Sequence, residues 1–298
     1  MAVRKRCLVL GGAVAAALVA LSAGSAAARN PWIVFGASPN HGTQAPQLFR
    51  VRALGVGLSQ ITTGLHPASD PAFAADGRRV AFARLSSGLF VVNVDGSGLR
   101  RLTANGSDRY PVWSPNSRVI AFVRAGRSGY GLWLMTANGR RQHRLRSAPS
   151  PAGRPAWKPD GNSLVIASDG AFYEVSAATG KVQKRLAPTY DVLLGQLSWT
   201  LSPTGRMIAY VGRRAEPAGC KRTACEVFAL YLQGVRSHRP QRSLDDAAVA
   251  GWSPDGRSFV YAHGGALNVQ ALSGGTLTTI PVGDLALDGE APPAWQPR

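Results

Sequence analysis

The sequence predicts an all-β chain folded as a six-bladed β-propeller with four-stranded antiparallel blades. Three observations predict it. A phrase of the form Pro-x-aromatic, x-Pro-Asp-Gly and then an apolar run recurs along the chain. Its copies stand one blade length apart. The two chain ends carry complementary fragments of one further copy.

The copies read PAFAADGRRVAFAR from Pro71, PVWSPNSRVIAFVR from Pro111 and PAWKPDGNSLVIAS from Pro155. They continue as WTLSPTGRMIAYVG from Trp199, AGWSPDGRSFVYAH from Ala250 and PAWQPR from Pro293. The position before each x-Pro pair holds Phe73, Trp113, Trp157, Leu201, Trp252 and Trp295, at spacings of 40, 44, 44, 51 and 43 residues. These are the lengths of propeller blades. The long spacing contains a cysteine-bearing insertion at about residues 212–226.

Residues 1–28 come first in the chain and stand apart from the repeat. Arg4, Lys5 and Arg6 precede an apolar run from Leu8 to Leu21, and a small-residue stretch ends at Ala26, Ala27 and Ala28. Charge, apolar core and small-residue site in that order predict a cleaved secretory signal. The apolar run is short for a spanning helix, which needs about 20 residues. The chain is expected to be exported and to be periplasmic, cell-wall-associated or secreted.

Residues 29–298 are expected to form one propeller domain. Pro31–Phe35, Gln47–Val51 and Leu58–Thr62 read as the second, third and fourth strands of a blade whose first strand lies around Trp295. One C-terminal and three N-terminal strands then complete a composite blade and remove the free edges of an open array.

Each internal unit follows the same course. Pro presets its own backbone angle and Gly accepts a positive φ, so Pro-Asp-Gly makes a tight turn. Runs such as Val80-Ala81-Phe82 and Ile120-Ala121-Phe122 suit strands buried on both faces. A third strand follows at Leu89–Val92, Leu132–Met135, Phe172–Val175, Val227–Leu230 and Leu267–Val269. A Gly-bearing turn then leads to an outer strand near Leu102, Leu145, Leu186, Leu244 or Ile280.

The formal charge is +18, and it falls to +15 when Arg4, Lys5 and Arg6 leave with the signal. Hydrophobic residues make up 45 %, which is the composition of a chain with a real core. Basic residues are scattered in pairs such as Arg78-Arg79 and Arg213-Arg214. Such scatter coats a solvated surface, or gives weak contact with anionic envelope polymers. Export argues against nucleic acid as a partner. Arg100, Arg101, Arg140, Arg141, Arg144, Lys184 and Arg185 fall on predicted edge strands, where charge guards against strand pairing between molecules. Cys220 and Cys225 are expected to form one local disulfide outside the cytoplasm. Two thiols alone are a poor zinc site, and no metal or cofactor is expected.

The repeat phrase resembles that of TolB-type propellers, the WD40-like family of bacterial periplasms. The likeness is strong at Pro111–Phe122, Pro155–Ile166 and Gly251–Tyr261, and weaker at Trp199–Tyr210. That family places a separate domain before its propeller, whereas here the repeat begins almost directly after the signal. The resemblance implies the fold and a habit of binding envelope proteins or peptides.

The sequence has no Gly-x-Ser-x-Gly elbow, no His-Glu-x-x-His, no phosphate loop and no dinucleotide fingerprint. A monomeric binding scaffold is therefore expected. The alternative is a propeller enzyme of lactonase, cyclase or lyase type. Candidate binding residues lie just before the first strands of the units: Asp70, Asp108, Arg109, Tyr110, Arg154, Asp246 and Glu290. First strands line the channel, so these residues are expected to gather at one mouth, or else to cap local turns.

Overall fold

A computed structural model describes residues 30–127, 129–188, 199–213, 228–237, 239, 242–245, 250–274, 278–288 and 291–297. Three strands open the described chain: β1 (Trp32–Ser38), β2 (Gln47–Arg52) and β3 (Ser59–Gln60). Blade one is β4 (Ala68–Phe73), β5 (Arg79–Arg84), β6 (Gly88–Asn93) and β7 (Arg100–Arg101). Blade two is β8 (Asp108–Trp113), β9 (Val119–Gly126), β10 (Gly129–Thr136) and β11 (His143–Arg144). Blade three is β12 (Ala156–Trp157), β13 (Ser163–Ser168), β14 (Ala171–Ser176) and β15 (Val182–Pro188). Blade four is β16 (Trp199–Leu201), β17 (Met207–Arg213), β18 (Phe228–Gly234) and β19 (Arg242–Asp245). Blade five is β20 (Gly251–Trp252), β21 (Ser258–His263), β22 (Ala266–Ala271) and β23 (Thr278–Pro281). Each is an antiparallel sheet in sequence order, so the six-bladed fold read from the repeat is the fold observed.

The sixth sheet closes the ring. β25 (Ala294–Trp295) pairs with β1 through Ile33↔Trp295 and Val34↔Ala294. The closure carries one element more than the repeat phrase announces. β24 (Ala286–Leu287) pairs with the far end of β1 through Ala37↔Leu287 and Ser38↔Ala286. β1 has seven residues, and one two-residue strand cannot satisfy its inner edge. Gln296 fastens the seam, accepting from the Trp32 N–H at 3.0 Å and donating to the Gly77 carbonyl at 2.7 Å.

The turns show why the phrase recurs. Asp76 accepts from the N–H groups of Arg78 and Arg79 at 2.8 and 3.2 Å, and Asp160 accepts from those of Asn162 and Ser163 at the same distances. Gly77, Gly161, Gly205 and Gly256 occupy the left-handed turn position with φ between 66 and 69°. Ser117 takes that position in the Pro-Asn-Ser copy, at φ 57°. Trp157 and Trp252 each donate an indole N–H to the innermost strand of the preceding blade, at Val112 and Thr200. The aromatic position thus packs blade against blade.

Among the described residues the core forms six apolar clusters, and each lies between two neighbouring sheets. Ala83, Leu89 and Val91 of blade one meet Trp113, Ile120 and Phe122 of blade two. Phe172 of blade three meets Trp199 and Tyr210 of blade four. Ile33, Phe35 and Val51 of the composite blade meet Val260, Leu267 and Ile280 of blade five. That last cluster closes the circuit. Burial between sheets, rather than within one sheet, makes every blade depend on both neighbours.

Candidate functional site at the channel end

The innermost strands of blades one and two are both bulged. Their ladders jump between Ser69 and Ala72 and between Arg109 and Val112. Inside each jump sits the residue directly before the phrase proline: Asp70 at φ 57° and Tyr110 at φ 55°. A following proline disfavours the right-handed helical region, and these two residues adopt the left-handed one. Non-glycine residues rarely do so outside special sites. Arg154 holds the same place before Pro155 of blade three. Three successive blades therefore send an acid, a phenol and a guanidinium into one end of the channel.

Arg154 reaches past blade two to blade one. Its Nη1 donates to the Pro71 carbonyl at 3.2 Å, and its Nη2 lies 3.8 Å from Asp70 Oδ1. Its Nε and Nη2 are buried and have no hydrogen-bond partner among the described residues. Burial raises the Asp70 carboxyl above its ordinary value, and Asp288 acts in the same direction; Arg154, Arg109 and the Tyr110 backbone N–H oppose the rise. Burial, then Asp70, raises the Tyr110 phenol, with Arg109 and Arg154 opposing. Burial lowers Arg154, while Asp70 and Tyr110 oppose that shift. The cluster is thus a tightly coupled polar group in a low-dielectric setting.

Asp70, Arg109, Tyr110 and Arg154 are brought together. Asp288, absent from the sequence expectation, joins them. It follows β24, its N–H donates to the Gly36 carbonyl at 2.9 Å, and a Cβ on Gly36 would meet its carboxylate at 3.1 Å. Asp108 takes a different place. It is fully buried against Arg124, which donates to its Oδ1 at 2.6 Å through Nε and to its Oδ2 at 2.9 Å through Nη2. Arg124 also stacks over Trp133 at 4.4 Å and binds Gln142. Asp108 therefore secures blade two. Asp246, Glu290, Cys220, Cys225 and residues 1–28 lie outside the described residues.

Two edge arginines are engaged. Arg100 donates to the Asn138 carbonyl of the next blade at 3.1 Å, and Arg101 holds the Ser87 and Thr103 carbonyls. Towards the other end of the blades, a groove of about 730 Å³ runs between blades three and four. Val165, Leu186, Met207 and Val235 give it apolar lining, with Lys184, Arg206 and Arg236 around them. Among the described residues no group of three His, Cys, Asp or Glu side chains is arranged to hold a metal. No described helix is long and apolar enough to cross a membrane.

No family model matches the chain. Over 71 residues it is 42 % identical to the Tol-Pal system protein TolB 1 of Novosphingobium aromaticivorans, a stretch covering 23 % of this chain and 16 % of that protein. Over 117 residues it is 28 % identical to the uncharacterized peptidase YuxL of Bacillus subtilis, covering 35 % of this chain and 18 % of that protein. These matches span less than a fifth of the length of either relative. Among solved structures, TolB from Acinetobacter baumannii matches with a TM-score of 0.65 at 18 % identity, covering 89 % of this chain and 67 % of that one. At that identity the likeness is one of fold. The chain is thus similar to TolB proteins in sequence over about a quarter of its length and in fold over most of it.

Proposed function

We propose that this propeller is a non-catalytic scaffold of the bacterial cell envelope, exported on residues 1–28, that captures a protein or peptide at the channel end. The observation that carries the reading is the convergence of Asp70, Tyr110 and Arg154 from three blades, with Arg109 and Asp288 beside them. A rigid ring that presents mixed charge and a half-buried phenol at its axis offers donors and acceptors with little ordering cost. The 42 % identity to a Tol-Pal system protein supports an envelope role.

The likeness to YuxL does not favour an enzyme. It covers 18 % of that protein, and this sequence has no Gly-x-Ser-x-Gly nucleophile motif. Arginines amid the acids also make the channel end a poor cation cradle.

The test is affinity capture from detergent-solubilised bacterial envelopes, comparing the wild type with Arg109→Ala and Tyr110→Phe. Both side chains are partly exposed, so the ring should stay folded. The expected result is a specific retained protein that both variants lose, with unchanged melting temperatures. Retention that is equal in all three proteins would refute the channel-end assignment.

A further inference from the structure

Leu54, Val56 and Leu58 project from the turn between β2 and β3 and are 74, 60 and 40 % exposed. On the adjoining turn, between β6 and β7, Leu99 is 49 % exposed. Monomeric proteins seldom display aliphatic side chains in such a cluster without a use. The first turn is tightly built. Gly55 and Gly57 take φ values of 82 and 74°. The Arg52 N–H donates to the Val56 carbonyl at 2.9 Å, and the Gly55 N–H donates to the Arg52 carbonyl at 2.7 Å. This backbone holds the aliphatic groups outward.

Behind the tip lies a collar of different chemistry. The Trp32 ring lies against both guanidiniums, with Arg50 at 4.4 Å and Arg52 at 3.8 Å from its centroid. Gly57 lets the ring come this close, because a Cβ there would meet Trp32 at 3.1 Å. Arg50 bridges to the adjoining turn by donating to the Val94 carbonyl at 2.7 Å. Asp95 is the single carboxylate on the two turns, and Ser97 occupies its Oδ1. Aliphatic groups in front, with indole and guanidinium behind, match the order of a bilayer interface: acyl chains, then headgroup, then phosphate.

Position points the same way. The Leu54 N–H donates to Asn30 Oδ1, and the Ala53 N–H donates to the Pro31 carbonyl, both at 3.0 Å. The tip is therefore fastened to the first residues of the ring. It stands at the end of the blades that carries the Pro-Asp-Gly turns, away from Asp70 and Arg154.

We propose that the Leu54–Leu58 tip seats this propeller on an anionic bilayer surface, with Trp32, Arg50 and Arg52 at headgroup level. The channel end then faces away from the membrane. The proposal stands independently of what the channel end binds.

The experiment is flotation of residues 29–298, which contain every described strand of the ring, with extruded vesicles. One set is phosphatidylcholine and the other is an equimolar mixture with phosphatidylglycerol. The wild type is expected to float with the mixed vesicles and to stay behind with phosphatidylcholine alone. Leu54→Ser/Val56→Ser/Leu58→Ser is expected to lose at least about tenfold in partition. Leu65→Ser is expected to change nothing, since that 94 % exposed leucine lies on the loop between β3 and β4, at the other end of the blade. The single variant Val56→Ser, expected to show a partial loss, serves if the triple variant has a lowered melting temperature. Absence of flotation, equal flotation on both vesicle types, or equal losses for Leu65→Ser and the tip variants would each overturn the proposal.

Discussion

Arg124 holds Asp108 side-on, with Nε on one carboxylate oxygen and Nη2 on the other, at 2.6 and 2.9 Å. Asp108 is fully buried, and Arg124 is largely buried with 17 % of its side chain exposed. Removing one partner strands the other charge out of water. Asp108→Ala should therefore lower unfolding free energy by about 3–5 kcal/mol. Denaturant titration checks this, and a change below about 1 kcal/mol would show that Arg124 finds other company. Any loss of partner capture by this variant should follow its loss of folded protein.

Asp70 and Arg154 should make stability depend on pH in a defined direction. The folded carboxyl of Asp70 titrates above its unfolded value, chiefly because it is buried. Below the unfolded value near 3.8 both states are protonated and its contribution is fully present. The contribution is lost as pH rises through the raised folded value. In thermal melts across that window, the wild type should lose stability relative to Asp70→Asn as pH rises. A gap between the two proteins that widens in favour of the wild type would reverse the assignment.

Gly251 lies against the closing strand. A Cβ there would collide with the Pro293 carbonyl oxygen, which is backbone and has no room to yield. Gly251→Ala should push blade five from the composite blade and destabilise by about 1–3 kcal/mol or more. Equilibrium denaturation reads the effect, and a neutral substitution would mean that this contact is looser than described.

Gln296 joins the first and last parts of the ring through two hydrogen bonds, to Trp32 and Gly77. Gln296→Ala leaves both backbone groups short of a partner. A cost of about 1–3 kcal/mol follows, and faster amide exchange at Trp32 should accompany it. Unchanged exchange there would remove Gln296 from the seam.

The blade count was legible because turn chemistry and aromatic packing repeat together. Asp76, Asp160 and Asp255 order their turns, and Trp157 and Trp252 tie neighbouring sheets. The pairing of Trp295 with Ile33 was legible because both fragments of the split unit keep their phrase. β24 was not, since Ala286-Leu287 carries no part of that phrase and is placed by the length of β1. The channel residues were legible in part. Asp70, Tyr110 and Arg154 all directly precede the phrase proline, and that alignment selects them. Asp108 stands two residues earlier in its unit. There it meets Arg124 across the strand pair, a contact that no local spacing announces. Asp288 reaches the cluster through the same unannounced strand.

The channel end exists only where the ring is closed by residues from both parts of the chain. Hydrogen exchange of the Trp32–Ser38 segment, with and without residues 293–298, tests that closure most directly. Strong protection in the full chain, lost across the segment on truncation, is the predicted result. Equal protection in both chains would mean that β1 does not rest on Ala294 and Trp295, and the six-bladed account would fail.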